Sequence, residues 1–374
     1  MARLLQIISA LWQIYRDGTL LGTVRYIRFK RLRTIPESRW DPPAGSDRGL
    51  GIVAAGNYVA STHLPCLRAL GESLYAVASR SGDSARALAK VYGIGVVYPG
   101  LGEMVADPRC EALLIATPHY LHAENILTAL NAGLYTYCEK PVAIDRADLD
   151  RLEAHGLAHA AAFKVMIGFN RRFSPAVVQL KRAPWLKTRA RPMEIHYRVN
   201  FGPRVDNMMS DPMRGGGRIH GAVCHYVDMI AFLTGSSIIQ VSALAIADAD
   251  DNTFAAVMKL EDGSLASLTF TSEGSRDQDI KEEIVISCDQ HTARVRNFTE
   301  LRIDGRVYKF QRHTYGALAA MRAFLEAKKA GTNTPISLAD GIAATRVTLV
   351  MQKSLRMNGE PQLLKPVPGA LQQG

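Results

Sequence analysis

Cysteine is sparse and unpatterned. Cys66, Cys110, Cys138, Cys224 and Cys288 are odd in number, and no two stand at metal-binding or redox spacing. This excludes a disulfide scaffold or a zinc ribbon and predicts a reduced, cytoplasmic setting. No apolar run reaches the roughly 20 residues that a membrane-spanning helix needs. Leu4 to Trp12 is apolar, but Gln6 interrupts it and no small-residue cleavage site follows, so no signal peptide is expected. P-loop, serine-hydrolase and zinc signatures are missing, as are internal repeats. What remains is a chain of 374 residues, 47% hydrophobic, long enough for two domains with a core each.

The formal charge of +10 would suit nucleic acid if it were spread over the chain. It is not. Residues 1–33 carry seven Lys or Arg and one acid, Asp17, which is +6 of the total. A basic arm is a different object from a basic protein, and no nucleic-acid partner is expected. The arm interleaves those charges with Leu4, Leu5, Ile7, Ile8, Leu11 and Trp12 at near-helical spacing. Two readings fit: an interfacial helix touching anionic lipid, or a helix docked on its own domain or a sister subunit. Residues 34–48, with Pro36, Pro42, Pro43 and Gly45, read as a linker.

From residue 49 the pattern alternates strand and helix. Strands are predicted at Leu50–Val53, Leu74–Ala78, Val96–Tyr98, Ala112–Ala116 and Tyr135–Cys138, with helices at Ser84–Tyr92, Leu101–Ala106 and Ala123–Ala132. Such βαβα alternation predicts a parallel sheet wound on both faces. The first strand runs into Ala54-Ala55-Gly56-Asn57-Tyr58-Val59, where a dinucleotide-binding turn would carry G-x-G-x-x-G. The middle glycine alone is present. Ala54 should crowd the tight turn, and Val59 should push helix from strand. A plain βα turn fits the same residues.

The second strand ends in Ser79-Arg80, where an NAD-selective site would place an acid on the ribose. A small hydroxyl and a guanidinium suit a 2′-phosphate and predict NADP over NAD; a solvated arginine is the alternative. The fifth strand ends in Glu139-Lys140-Pro141. A lysine at the carboxyl end of such a strand faces the ligand crevice, and the proline sets the exit direction. Taken alone, Glu-Lys-Pro also fits a surface ion pair before a turn.

In order and spacing the chain resembles the Gfo/Idh/MocA oxidoreductases over about residues 49–360. The resemblance rests on Gly56-Asn57-Tyr58, Ala116-Thr117-Pro118, Ala129-Leu130-Asn131-Ala132-Gly133, Cys138-Glu139-Lys140-Pro141, Gly168-Phe169-Asn170-Arg171-Arg172-Phe173, and Gly215-Gly216-Gly217 with His225 and Asp228. It implies a Rossmann domain followed by an α/β domain with a large, mostly antiparallel sheet. It also implies NAD(P)-dependent oxidation or reduction of sugars, sugar nucleotides or inositol-type polyols. The corresponding division is an extension at 1–48, a dinucleotide-binding domain at 49–170, a substrate and assembly domain at 171–360, and a disordered tail at 361–374.

On this resemblance Lys140 and His225 carry the acid–base chemistry. Ala55, Gly56, Asn57, Tyr58, Ser79, Arg80, Thr117, Pro118, His122, Glu139, Lys140 and Arg171 meet the cofactor. Lys140, Arg172, His225 and Asp228 meet the substrate, and the open face of the second sheet joins subunits. One departure stands out. The family usually places an aspartate four residues before this histidine, and here that residue is Gly221. Without the carboxylate, the His225 imidazole is expected to titrate near its free value of about 6.5. Two other classes fit the same residues: redox-assisted glycoside cleavage on tightly held NAD, and a non-catalytic nucleotide or sugar binder, which Ala54, Val59 and Gly221 would suit.

Overall fold

The structure, a computed structural model, describes residues 20–32, 34–203, 205–246, 252–275, 280–310 and 315–371. The apolar stretch Leu4–Trp12 lies outside them. Helix α1 (Leu20–Leu32) buries Tyr26 and Phe29 and exposes Val24, Arg28, Lys30 and Arg31. Its apolar side packs on the first domain, against the helices that start at Val59 and Gly82. The linker is docked as well. Ile35 is buried, donates from its N–H to the Asp83 carbonyl at 3.1 Å, and accepts from Arg86 Nε at 2.7 Å.

The first domain continues with β1 (Gly49–Val53), α2 (a π turn at Val59–His63 running into Leu64–Ala69), β2 (Leu74–Ala78), α3 (Gly82–Tyr92) and β3 (Val96–Tyr98). Then come α4 (Leu101–Val105), β4 (Cys110–Ile115), α5 (His122–Asn131), β5 (Tyr135–Cys138), α6 (Arg146–Arg151) and β6 (Val165–Ile167). The sheet order is β3-β2-β1-β4-β5-β6 with every pair parallel. Strands β1, β2 and β5 are buried at every residue, as the two helical layers require. The strand order reverses between β1 and β4, and a crevice opens there at the carboxyl ends of the strands.

The second domain holds α7 (Pro175–Leu180), α8 (Pro184–Thr188), β7 (Glu194–Asn200) and α9 (Cys224–Thr234, preceded by a π turn at Ile219–Val223). Strands β8 (Ile238–Ala245), β9 (Phe254–Leu260), β10 (Leu265–Thr271), β11 (Glu282–Cys288), β12 (His291–Arg296), β13 (Glu300–Ile303) and β14 (Arg306–Lys309) follow. Helices α10 (Ala317–Ala330) and α11 (Leu338–Arg356) and a short β15 (Gln362–Leu363) close the chain. The nine-stranded sheet is antiparallel except where β10 runs parallel to β7. Strand β9 alternates strictly between buried and exposed residues, so one face of the sheet is covered and the other open.

The tail departs from expectation. Residues 362–363 pair with β8, Val367 is buried, and the Leu371 N–H reaches Asp340 Oδ1 at 3.0 Å. Edge pairing and an apolar anchor give this polar, proline-bearing segment a place that its composition does not suggest.

Candidate active site

The turn after β1 keeps a glycine-like backbone without the glycine. Ala54 sits at φ +139°, a region that L-residues other than glycine rarely enter, and its N–H is held by the Ala78 carbonyl at 3.0 Å. Gly56 is exposed, and a Cβ there would meet no atom within 4 Å. Asn57 and Tyr58 are exposed beside it, and Ala55 is buried. A cleft of about 1040 Å³, counted with its open mouth, runs past Ala54, Ser79, Arg80, Thr117, Pro118 and Arg214. Arg80 donates to the Tyr120 hydroxyl, and the Tyr120 N–H bonds the Arg214 carbonyl at 3.3 Å. Open backbone at Gly56, the start of α2 and a cleft at the switch point together fit a dinucleotide. Arg214, from the loop before α9, was not foreseen; it lies far from the glycine turn in sequence.

Glu139 and Lys140 part company at the end of β5. Glu139 is buried, and its Oε1 lies 3.1 Å from His63 Nε2, one end of a column in which the His63 ring packs edge-on against Tyr58 and Tyr137. Burial pushes its carboxyl up, but the His63 hydrogen bond and the charges of His63, Lys140 and His122 outweigh this and hold it below the ordinary range. Glu139, expected to meet the cofactor, has His63 as a protein partner. A histidine within α2, seven residues past Gly56, is a signal that the chain carried.

Lys140 is half-buried, in a cis peptide with Pro141, and donates from Nζ to the Gly221 carbonyl at 2.9 Å. That bond brings β5 of the first domain to the π turn of the second. The turn inserts an i→i+5 step directly before His225, a distortion common at functional sites. His225 is buried, its ring edge-on to Phe169, and its Nδ1 has no hydrogen-bond partner among the described residues. Burial drives its pKa well below the usual histidine value, and Arg171, Lys140 and His119 push the same way. Titration near the free value therefore does not follow from the missing aspartate alone; desolvation dominates.

Position 221 is not an open space. A Cβ on Gly221 would stand 2.4 Å from Met209 Cγ, 2.9 Å from its Sδ and 3.1 Å from His119 Cε1. Met209, in the loop before α9, fills the place of the absent side chain. Gly215 admits the loop: a Cβ there would be 2.2 Å from the Met208 carbonyl oxygen.

Four expected ligand contacts are committed elsewhere. His122 is fully buried, with Nδ1 2.6 Å from the Pro141 carbonyl and Nε2 2.9 Å from the Thr117 carbonyl, so neither nitrogen is left for a cofactor. Arg171 makes a bidentate pair with Glu282 on β11, at 2.9 and 3.1 Å, and stacks over Tyr226 and Tyr315. Arg172 pairs with Asp228 on α9 and lies 3.3 Å from Asp340, which closes the capping box of α11 with the N-cap Ser337. Burial lifts the Asp228 carboxyl to about 6 against the pull of Arg172. Buried guanidinium groups take carboxylates wherever the fold supplies them, and here the second domain supplies three.

The comparisons with known proteins agree with this architecture. The family described as "Oxidoreductase family, NAD-binding Rossmann fold" (GFO_IDH_MocA) matches residues 48–168, and the "GFO/IDH/MocA C-terminal domain" matches residues 189–294. Among relatives, a myo-inositol 2-dehydrogenase of Thermotoga maritima is 24% identical over 326 residues, 82% of this chain and 96% of that protein. A myo-inositol dehydrogenase of Streptomyces leeuwenhoekii is 31% identical over 211 residues, 54% of this chain and 63% of that one. A levoglucosan dehydrogenase solved with NADH and levoglucosan superposes with a TM-score of 0.74 over 86% of this chain and 99% of its own, at 17% identity, which bears on the fold alone.

Proposed function

The chain belongs to the Gfo/Idh/MocA oxidoreductases, and on that premise we propose that it moves a hydride between NAD(P) and a carbinol carbon of a sugar, sugar nucleotide or inositol-type polyol. That it is an oxidoreductase acting on CH–OH groups follows from the family itself. The observation that carries the finer reading is the convergence of Lys140 and the π turn before His225 at the end of β5.

A bound nicotinamide supplies the hydride acceptor or donor. Ala55, Gly56, Asn57 and Tyr58 would hold its diphosphate bridge by backbone approach, with Thr117 and Pro118 along the cleft. Ser79 and Arg80, with Arg214 across the cleft, favour a 2′-phosphate and hence NADP. Lys140 would donate a hydrogen bond to the reacting oxygen and stabilise charge on it, and neutral His225 would orient the substrate. Lys140→Ala should cost several orders of magnitude in turnover while cofactor affinity, read by fluorescence titration, stays within about tenfold. Retained turnover would refute the assignment. Arg80→Ala should weaken NADP(H) and spare NAD(H); equal loss of both would refute the 2′-phosphate reading.

The open face of the second sheet exposes Leu244, Val257 and Leu265 and would join subunits of a homo-oligomer, which sedimentation measures. The outer side of α1, with Val24, Arg28, Lys30 and Arg31, would meet anionic lipid, which vesicle co-sedimentation tests.

A further inference from the structure

Resting on the reading above, we infer that His119 is the proton acceptor for the reacting hydroxyl. Together with Met209 it borders the space that a side chain at position 221 would take. His119 stands on the single 3₁₀ turn His119–Leu121 that follows β4, at the switch point of the parallel sheet.

Three observations carry this. First, His119 Cε1 would be 3.1 Å from a Cβ on Gly221, so the ring edge borders the residue whose carbonyl holds the Lys140 ammonium. Second, Nδ1 lies 2.8 Å from the Gly215 carbonyl, which can only accept, so Nδ1 carries the ring proton. In a neutral imidazole Nε2 then holds the lone pair, and Nε2 is bonded to the same Cε1 that faces position 221. Third, Nε2 has no hydrogen-bond partner among the described residues. His225 differs on the second point. Among the described residues no hydrogen-bond partner fixes its tautomer, and its Nδ1 is enclosed without one.

The groups facing His119 are Lys140, His122, His220 and His225. None is an acid. Burial first, and then Lys140, His122 and His220, keep the His119 imidazole neutral at pH 7. A neutral acceptor beside an ammonium donor is the pairing that alcohol oxidation needs. In that direction the carbinol C–H bond breaks and its electron pair leaves with hydrogen as hydride to the oxidised nicotinamide. The O–H bond breaks, its proton passes to His119 Nε2, and the carbonyl forms. The proton then goes to solvent, and reduction runs the same steps backwards.

His119→Asn tests this, because the amide nitrogen can still donate to Gly215 while Nε2 is gone. Thermal midpoint and NADP(H) affinity should hold. On a substrate found by a sugar and polyol screen, kcat should fall roughly 10²-fold or more with KM within severalfold. The acidic limb of kcat/KM, expected below pH 6.5, should vanish. Unchanged kcat, or a reduced kcat that keeps the acidic limb, overturns the proposal. Independently of turnover, imidazole nitrogen NMR of the unaltered protein should show His119 as the Nδ1–H tautomer, titrating below 6.5. An Nε2–H tautomer overturns the proposal even if the variant fails to fold. If no sugar or polyol is turned over, the functional reading above fails, and the tautomer still decides the geometry claimed for His119.

Discussion

Gly221→Asp, which restores the residue usual in the family, is expected to destabilise the protein unless Met209 is shortened with it. Carbon atoms in contact sit about 3.5–4.0 Å apart. The new Cβ would start 2.4 Å from Met209 Cγ and 3.1 Å from His119 Cε1, before any carboxylate is added. Met209 must therefore move by more than an ångström, and overpacking of this kind costs about 1–3 kcal/mol. Aspartate is only slightly the better helix former, so replacing the glycine returns about 0.3 kcal/mol. The net loss for Gly221→Asp should be about 1–3 kcal/mol. Met209→Ala removes the obstacle, so the double variant should be more stable than the two single losses imply, with a coupling of about 1–2 kcal/mol. Urea unfolding of the four proteins, followed by two probes to check coincidence, measures it. Histidine NMR adds a second reading: a carboxylate accommodated beside His225 should raise that imidazole's pKa. Additivity within about 0.5 kcal/mol would mean that Met209 does not fill the place of the missing side chain, and the account of position 221 would fall.

Two further expectations concern the scaffold. Ala54→Gly relieves a residue at φ +139°, a strain of about 1–3 kcal/mol, against about 0.4–1 kcal/mol of added freedom in the unfolded chain. It should stabilise by about 1 kcal/mol in urea unfolding, and a loss of stability would refute the strain. Glu282→Gln leaves Arg171 buried without its anion and should cost about 3–5 kcal/mol at pH 7. Burial pushes Glu282 up, but Arg171 outweighs it, and the folded value lies below the unfolded one. The pair's contribution is thus present above the unfolded value of about 4.3 and is lost as pH falls through the folded one. The stability difference between the two proteins should shrink below about pH 4; a constant difference would refute the linkage.

Much of the architecture was readable locally. Strand and helix alternation, with apolar runs too short for anything but buried strands, determined the parallel sheet, and turn residues placed Gly56, Ser79-Arg80 and Lys140 at strand ends. These signals depend on neighbours within a few residues, where periodicity and backbone preference act. The tertiary structure decided the partners. Arg171 meets Glu282 111 residues away, Lys140 meets a carbonyl 81 residues away, and the tail completes a sheet edge at Val241 and Gln240. A guanidinium expected at the cofactor, a carboxylate expected at a ligand and a tail expected to be disordered each have a protein partner, because burial makes an unpaired polar group costly and the fold brought a partner within reach. Position 221 shows the division most plainly. Sequence alone determined that a carboxylate is missing there, whereas tertiary packing decided that Met209 and His119 stand in its space, since close packing leaves no void for an absent side chain.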